Sequence, residues 1–345
     1  MRPTRRGWTA LVVVAAAMVM SWQFGPRALN AVVAPLIVVL VAGVVATVRV
    51  DRPTVRRVPV AEGAVGERRT AELVVESDAT VSATVSDAVG DGLSVLESEG
   101  RGTATVDDDT PVVETTLTDT NRFAYDVRLE ARGERRLGPV SITVTDVLGL
   151  VERRFRYEES TTTLVYPRVR DVRAGHGDAL QSFADAVAGR DREAFDHLRE
   201  YQRGDSLRDV HWKSAAKRPD ADLVVTEYAA DEDTGTVTIA ADCVPGRDDE
   251  LATAVASVAD FLLEAGVDVG VVLPDTAYEP GSGGDHRRDL LAAFAVLEAG
   301  ELEESIRESA DVLIRVDDDG TAVVLDDRTI PFERLVGERE SGVVP

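Results

Sequence analysis

Two long apolar segments occupy most of the first fifty residues. Residues 8–24 and 28–48 contain few polar positions, and each segment approaches the roughly 20 residues that a membrane-spanning helix needs. Gly25, Pro26 and Arg27 between them are typical of a tight turn. The pattern therefore predicts a two-helix transmembrane hairpin over residues 1–50, in contact with the lipid bilayer through residues 8–48.

The arginines near these segments predict how the hairpin is oriented. Arg2, Arg5 and Arg6 precede the first segment, one arginine lies in the turn, and four follow the second segment between residues 49 and 57. Because basic residues stay on the cytoplasmic side, we expect a two-pass protein of the cell membrane with both termini and all later residues in the cytoplasm. A secretory signal is the alternative, but no small-residue cleavage site follows the first segment, and the second would still anchor the chain.

Short runs with period-two alternation follow, separated by turn residues. Alternation at this spacing predicts an antiparallel β-sandwich of about seven to nine strands over residues 51–169. No group of His, Cys or Ser and Asp there suggests catalysis, so the segment is expected to be a spacer or an interaction module. The runs are 70–75, 81–85, 112–117, 124–129, 140–144 and 163–166.

From residue 170 onward, apolar strands alternate with helical periodicity. This order favours a parallel sheet and predicts an α/β, von Willebrand A-like domain over residues 170–345. In such sheets ligands bind beyond the carboxyl ends of the strands, which directs attention to Asp242. The predicted strands are 236–242, 267–273, 312–316 and 321–325, and the predicted helices are 248–265 and 285–297.

The chain of 345 residues has 62 acidic and 38 basic side chains and a net charge of −24. This excess of acid argues against nucleic-acid binding, which needs a basic face, and the single cysteine excludes a disulfide scaffold. All basic residues except two lysines are arginines, a composition typical of a halophilic archaeon, in which most carboxylates are solvated surface groups.

One segment departs from this acidity. Between residues 197 and 218, six bases against three acids give a net charge of +3, and the segment holds both lysines and the one tryptophan outside the apolar segments, Trp212. Turn and capping residues predict that the bases lie on a turn followed by a helix over 207–217. Bases in that position either form an internal ion-pair network or bind an acidic partner or an anion.

The residues of this segment resemble the motif of domain-of-unknown-function family 58. Four upstream segments, at 132–133, 137–140, 146–150 and 165–168, also resemble the β-region of that family, so the resemblance covers about residues 1–245. Val210 and Lys217 depart mildly from the usual residues. The candidate binding residues are Arg199, Glu200, Tyr201, Gly204, Asp205, Arg208, His211, Trp212, Lys213 and Lys217.

The resemblance implies that the protein binds a partner protein, and it does not indicate a catalysed reaction. Such proteins are similar to von Willebrand A-domain proteins that accompany MoxR-type AAA+ ATPases, and no enzyme activity defines the family. We therefore expect a membrane-anchored accessory or scaffold protein that presents a cytoplasmic interaction domain to such an ATPase. A membrane-bound hydrolytic enzyme that uses Asp205 and His211, or an externally exposed adhesive protein, are the alternatives.

The remaining candidate sites carry little chemistry. Asp242 could hold a cation at the end of its strand, but the next residues, Cys243-Val244-Pro245-Gly246, lack the serines of a metal-ion-dependent adhesion site. Cys243 follows an apolar strand and is expected to be a small buried side chain. The four histidines show no zinc spacing, and the glycine-rich residues 280–284 lack the lysine of a phosphate-binding loop. We therefore expect no catalytic residue, metal or cofactor.

Overall fold

The computed structural model describes most of the chain, and its residues form two compact units, Met1–Pro167 and Arg168–Pro345. The predicted division at residues 50 and 169 stays a prediction. The described residues are 1–24, 27–96, 104–107, 110–172, 178–192, 198–200, 224–226, 235–325 and 328–336.

The first unit begins with two helices that contact each other. The short strand β1 (Arg2–Pro3) precedes α1 (Arg5–Phe24), and α2 (Arg27–Val48) follows. Both helices are rich in alanine and valine and contain no acidic residue.

The prediction that these helices cross a membrane is wrong. Within the described ranges, no helix has both the length and the apolar character that a bilayer span requires. The two-pass membrane localisation depended on that prediction and is wrong with it. Polar or helix-distorting residues interrupt both segments: Thr9, Ser21 and Gln23 in α1, and Asn30, Pro35 and Thr47 in α2.

Two β-sheets make up the rest of the first unit. One sheet has the order β1-β11-β10-β5-β8-β7, with β12 pairing β10 and β3, and the other has the order β2-β4-β9-β6. All neighbours are antiparallel except β3 and β12. The strands are β2 (Thr54–Val58), β3 (Gly63–Ala64), β4 (Arg68–Glu76), β5 (Val81–Val89), β6 (Leu93–Leu96), β7 (Ala104–Asp107), β8 (Thr110–Leu117), β9 (Thr120–Leu129), β10 (Gly133–Thr145), β11 (Val151–Tyr157) and β12 (Thr161–Tyr166).

The two sheets pack face to face through alternate side chains of their strands. Leu73 and Val75 of β4 share one buried cluster with Ile142 and Val144 of β10, which belongs to the opposite sheet. A second cluster, which includes Leu137, also joins both sheets. Because successive strand residues point to opposite faces, the period-two pattern supplies this core.

The second unit contains a six-stranded sheet with the order β17-β16-β15-β18-β19-β20, and a separate pair, β13 and β14. Its elements are α3 (Asp178–Arg192), β13 (Leu198–Glu200), β14 (Val224–Thr226), β15 (Thr236–Cys243), α4 (Asp248–Glu264), β16 (Asp268–Val272), β17 (Ala277–Gly281), α5 (Gly283–Ala295), α6 (Glu304–Ser309), β18 (Val312–Asp317), β19 (Gly320–Leu325), β20 (Arg328–Pro331) and α7 (Phe332–Leu335).

The six-stranded sheet is mixed, and this corrects the predicted fold class. Only the pairs of β15 with β16 and with β18 are parallel, whereas β17, β19 and β20 pair antiparallel with their neighbours. Asp318 and Asp319 alone separate β18 from β19, and two residues form a hairpin but not the crossover that parallel strands need. The described chain is therefore mostly β-sheet, without a transmembrane hairpin or the expected von Willebrand A-like parallel sheet.

A buried polar network joins the two sheets of the first unit. The Asp87 carboxylate on β5 accepts two hydrogen bonds from the Arg57 guanidinium on β2, at 2.7 Å for Nη1 to Oδ2, and one from the Tyr125 hydroxyl on β9. The Arg57 and Asp87 side chains are only 7% and 2% exposed. The network therefore gives the Asp87 carboxylate hydrogen-bonding partners, without which its burial would be strongly unfavourable.

Burial and the Asp87 charge shape both titrations in this network. Burial, with the Asp87 charge and hydrogen bond as further causes, raises the pKa of Tyr125 far above its usual value. Burial acts to lower the pKa of Arg57, but the hydrogen bond and charge of Asp87 outweigh it and raise the pKa. Asp87 therefore holds a protonated phenol and a charged guanidinium together between the sheets.

We predict that Asp87→Ala lowers the free energy of unfolding by about 3–5 kcal/mol, because it leaves the Arg57 charge buried without a partner. Glu72→Ala is the control. It removes the partner of Arg122, whose side chain is 71% exposed, and should cost less than about 1 kcal/mol. Urea denaturation of the full chain measures both, and equal losses would show that the network adds nothing to stability.

We also predict that stability declines with pH above about 10, where Tyr125 ionises in the unfolded chain but keeps its proton when folded. A folded-state pKa raised above the unfolded value gives a contribution that is complete at lower pH and is lost as pH rises. Tyr125→Phe should reduce the slope of unfolding free energy against pH between pH 9 and 11. An unchanged slope in Tyr125→Phe would contradict the prediction.

Candidate interaction surface

Most large exposed apolar side chains of the described residues lie on α1 and α2. Trp22 is 90% exposed, Val38 66% and Val12 61%. Single exposed apolar residues are common, but a contiguous set on two adjacent helices marks an interaction site. We call this set the apolar helix surface: Trp8, Leu11, Val12, Val13, Met18, Val19, Met20 and Trp22 of α1, and Ile37, Val38, Val41, Val44, Val45 and Val48 of α2.

On α2 these residues follow helical spacing. Ile37, Val41, Val44, Val45 and Val48 recur at three- and four-residue intervals and so lie along one face. In a helix that packs on its own core such a face is buried, whereas here all five side chains are exposed. The stripe is therefore available to another molecule.

A groove of about 440 Å³ lies where α1 begins and α2 ends. Its walls come from three places: the residues before and at the start of α1, the last turns of α2, and the loop that leads into β11. The lining residues are Met1, Arg2, Pro3, Gly7, Leu11, Leu40, Val41, Val44, Val45, Leu150 and Val151.

The Asp146 carboxylate holds the loop between β10 and β11 in shape. Its Oδ1 accepts hydrogen bonds from the backbone N–H groups of Leu150 at 2.6 Å and Val151 at 2.7 Å, and its Oδ2 accepts one from Leu148 at 3.2 Å. Asp146 is buried, while Val147 at the loop tip is 98% exposed. The loop therefore presents apolar side chains on a fixed backbone.

The same loop fixes the start of α1. The Thr4 backbone N–H donates to the Leu150 carbonyl at 3.0 Å, and the Thr4 hydroxyl donates to the Gly149 carbonyl. Gly7 lies so close that a Cβ there would collide with the Leu150 carbonyl oxygen. Thr4 and Gly7 therefore hold the start of α1, which forms one wall of the groove, against the loop between β10 and β11.

The groove end of the hairpin is basic. Arg2, Arg5 and Arg6 lie there, and the first fifty residues contain no acid. Glu152 pairs opposite Arg2 across β1 and β11, so it faces one of these charges. The local charge is still positive, in a chain whose remaining residues are strongly acidic.

Asp242, the candidate cation ligand at the end of β15, pairs with an arginine. Its Oδ2 accepts a hydrogen bond from Nε of Arg307 on α6 at 2.7 Å, and Nη2 of Arg307 lies at 2.6 Å. The Asp242 side chain is 3% exposed. Across the described residues, no group of three or more potential ligands is arranged to hold a metal ion.

Cys243 is buried, as its position after an apolar strand predicts, and its backbone N–H donates to the Gly300 carbonyl at 3.1 Å. This bridge and Arg307 cover the carboxyl end of β15 with the segment around α6. The edge at which ligands bind in parallel sheets is thus occupied by the chain itself.

The predicted binding motif is only partly within the described residues. Arg199 and Glu200 lie on β13, where they pair with Val225 and Val224 of β14. The choice between an internal network and a binding site stays a prediction. The other predicted site residues lie outside the described residues: Tyr201, Gly204, Asp205, Arg208, His211, Trp212, Lys213 and Lys217.

Sequence reasoning did not identify the groove or its supports. Asp146, Gly149 and Leu150 did appear in the family resemblance, and an Asp three residues before a Gly between two alternating runs is a turn signal. That signal predicts a loop. It does not indicate that the loop meets the start of α1, 145 residues away in the chain.

We predict that Arg307→Met destabilises the chain by about 2 kcal/mol, because the buried Asp242 loses its nearest partner and keeps only Nε of Arg315, 3.7 Å from its Oδ1, and a 3.4 Å hydrogen bond from the Leu302 backbone N–H. Arg288→Met, which breaks an exposed pair with Asp285, should cost less than about 1 kcal/mol. Thermal unfolding with and without added Mg²⁺ or Ca²⁺ measures this. If either cation restored the stability of Arg307→Met, Asp242 would be a cation ligand that Arg307 merely covers.

No family model matches the chain, and no curated protein is similar to it. The resemblance to domain-of-unknown-function family 58 thus stays a prediction from the motif.

Several solved structures are weakly similar to about a third of the chain. A non-cellulosomal cohesin from Archaeoglobus fulgidus is 15% identical over 33% of this chain and 91% of its own, with a TM-score of 0.24. The chitin-binding domain of a Pyrococcus furiosus chitinase is 13% identical over 29% and 92%, with a TM-score of 0.21. A CARDB domain from Pyrococcus furiosus is 13% identical over 34% and 93%, with a TM-score of 0.19. None of the three is a von Willebrand A domain, and at these scores they support no conclusion about function.

Proposed function

We propose that this protein is a non-catalytic accessory protein that binds a protein partner through the apolar helix surface. The observation that carries the proposal is the exposure of this surface: large apolar side chains on both helices, among them Trp22 and Val38, face water. Apolar surface in water is unfavourable by about 25 cal/mol per Å², so a partner that covers it gains binding free energy.

The charge around the surface defines the chemistry of the partner. Arg2, Arg5 and Arg6 stand at the groove end of the hairpin. Complementary charge across an interface favours association and suppresses wrong partners. We therefore propose a partner segment with an apolar helical face flanked by acidic residues. A MoxR-type AAA+ ATPase is the partner that the motif resemblance implies, and it is the first protein to test.

The buried carboxylates of the described residues serve the fold, whereas Asp205 and His211 of the hydrolytic alternative lie outside the described residues. In the described part of the chain, the buried acids are Asp87, Asp146 and Asp242. Asp87 pairs with Arg57, Asp146 accepts backbone hydrogen bonds, and Asp242 pairs with Arg307. A general acid or base must reach a substrate proton, and these three groups are engaged within the fold.

We predict that Val38→Asp leaves the fold intact but weakens partner binding by about tenfold or more, because it places a charge in the centre of the apolar helix surface. Val58→Asp is the matched control, since Val58 is also exposed but lies on β2, outside this surface. Calorimetric titration with the purified MoxR-type ATPase of the same organism measures both variants, and circular dichroism confirms their folding.

Two outcomes would overturn the proposal. If the ATPase does not bind the wild-type chain, or if both variants bind it equally well, the surface does not receive this partner. If the wild-type chain instead binds lipid vesicles and Val38→Asp abolishes that binding, the surface serves a lipid interface and not a protein.

A further inference from the structure

The groove between α1, α2 and the loop after β10 differs from the rest of the apolar helix surface. Leu11, Leu40, Val44 and Leu150 are among the residues that line a concave space of about 440 Å³, whereas Val12, Val38 and Trp22 lie outside it. This volume lies within the range of small-molecule sites in proteins, which are mostly apolar with a few placed polar groups. The groove therefore suits a small apolar ligand better than a flat protein surface does.

The walls of the groove are held in place by the described hydrogen bonds. Asp146 fixes the backbone of Leu150 and Val151, and Thr4 ties the segment before α1 to the same loop. Gly7 permits the close approach of α1. A ligand in a preformed groove loses less free energy to ordering of the protein than a ligand in a flexible one.

One end of the groove is charged. Arg2 of β1 is the charged residue among its lining residues, and Arg5 and Arg6 come directly before the lining residue Gly7 at the start of α1. Glu152 pairs with Arg2 across β1 and β11, and Asp146 carries a second negative charge in the loop after β10, where backbone N–H groups hydrogen-bond to it, so three arginines stand against two acids. The site therefore combines apolar walls with a cationic end, which is complementary to a molecule with an apolar tail and an anionic head.

We propose that the groove binds a single-chain anionic amphiphile of the fatty-acid class. The alkyl chain lies against Leu11, Val44 and Leu150, and the carboxylate is directed toward Arg2 and its neighbours. Burial of methylenes supplies affinity, and the arginines select an anionic head over a cationic or neutral one. The groove shares Leu11, Val41, Val44 and Val45 with the apolar helix surface, whereas Val38 belongs to that surface and lies outside the groove.

The test is calorimetric titration of the full chain with dodecanoate below its micelle concentration. We expect one molecule of dodecanoate to bind per chain. Dodecyltrimethylammonium has the same tail and a cationic head, and its affinity should be lower by about tenfold or more. Equal binding of both amphiphiles would overturn the proposal, because the arginines would then not recognise the head group.

Two matched variants locate the site. Val44→Trp fills the groove and should weaken dodecanoate binding by about tenfold, whereas Val38→Trp lies on the same helix outside the groove and should leave it unchanged. If both variants weaken binding equally, dodecanoate merely coats the apolar helix surface, and the proposal is wrong.

Arg2→Gln provides a readout that does not depend on repacking, because Arg2 is exposed. It should weaken dodecanoate binding severalfold and leave dodecanol binding unchanged. Binding of phosphatidylglycerol vesicles without binding of free dodecanoate would also overturn the proposal. Val38→Asp, which tests the protein interface, should not alter dodecanoate binding, so the two proposals can fail separately.

Discussion

The sandwich of the first unit depends on a buried carboxylate that must be paired. Asp87 lies between two sheets, 2% exposed, where an unpaired negative charge is strongly unfavourable. Arg57 and Tyr125 approach it from the opposite sheet, so the sheets cannot separate or slide without exposing or unpairing the charge. Apolar packing tolerates small shifts, whereas this three-residue contact fixes how β2 and β9 stand against β5.

The requirement that a buried carboxylate be paired also shapes two other parts of the described chain. Asp146 is satisfied by backbone N–H groups, and the loop that results supports the start of α1 and one wall of the groove. Asp242 is satisfied by Arg307, which places α6 over the end of β15. In a chain with 62 acidic residues, these buried carboxylates organise structure because each one recruits its own partner.

The apolar helix surface differs from these buried carboxylates because its side chains have no partner that covers them within the described residues. The apolar helix surface is left unburied although it is the most apolar part of the chain, and the β-sandwich beneath it has its own closed core. A surface that the fold does not need is free to bind other molecules. We propose different ligands for its two parts, an amphiphile for the groove and a protein helix for the residues outside it.

The sequence by itself determined the local elements, because their cause is local. Period-two alternation predicted six strands of the first unit close to their observed positions: β4, β5, β8, β9, β10 and β12. Apolar runs and helical periodicity did the same for the main strands and helices of the second unit. Several strands were not predicted, among them β2, β6, β7, β11 and β17. In β11, Glu152, Arg153, Arg154 and Arg156 weaken the apolar alternation. A strand with so many charged positions is recognised only by its neighbours.

Only the tertiary structure decided the pairing of these elements. The mixed sheet, the Asp87 network and the groove all depend on contacts between residues far apart in the chain, such as Thr4 with Leu150 and Asp87 with Tyr125. Periodicity reports which side of a strand or helix is apolar. It does not report which element covers that side, because this depends on the length and direction of connections and on the charges that must meet.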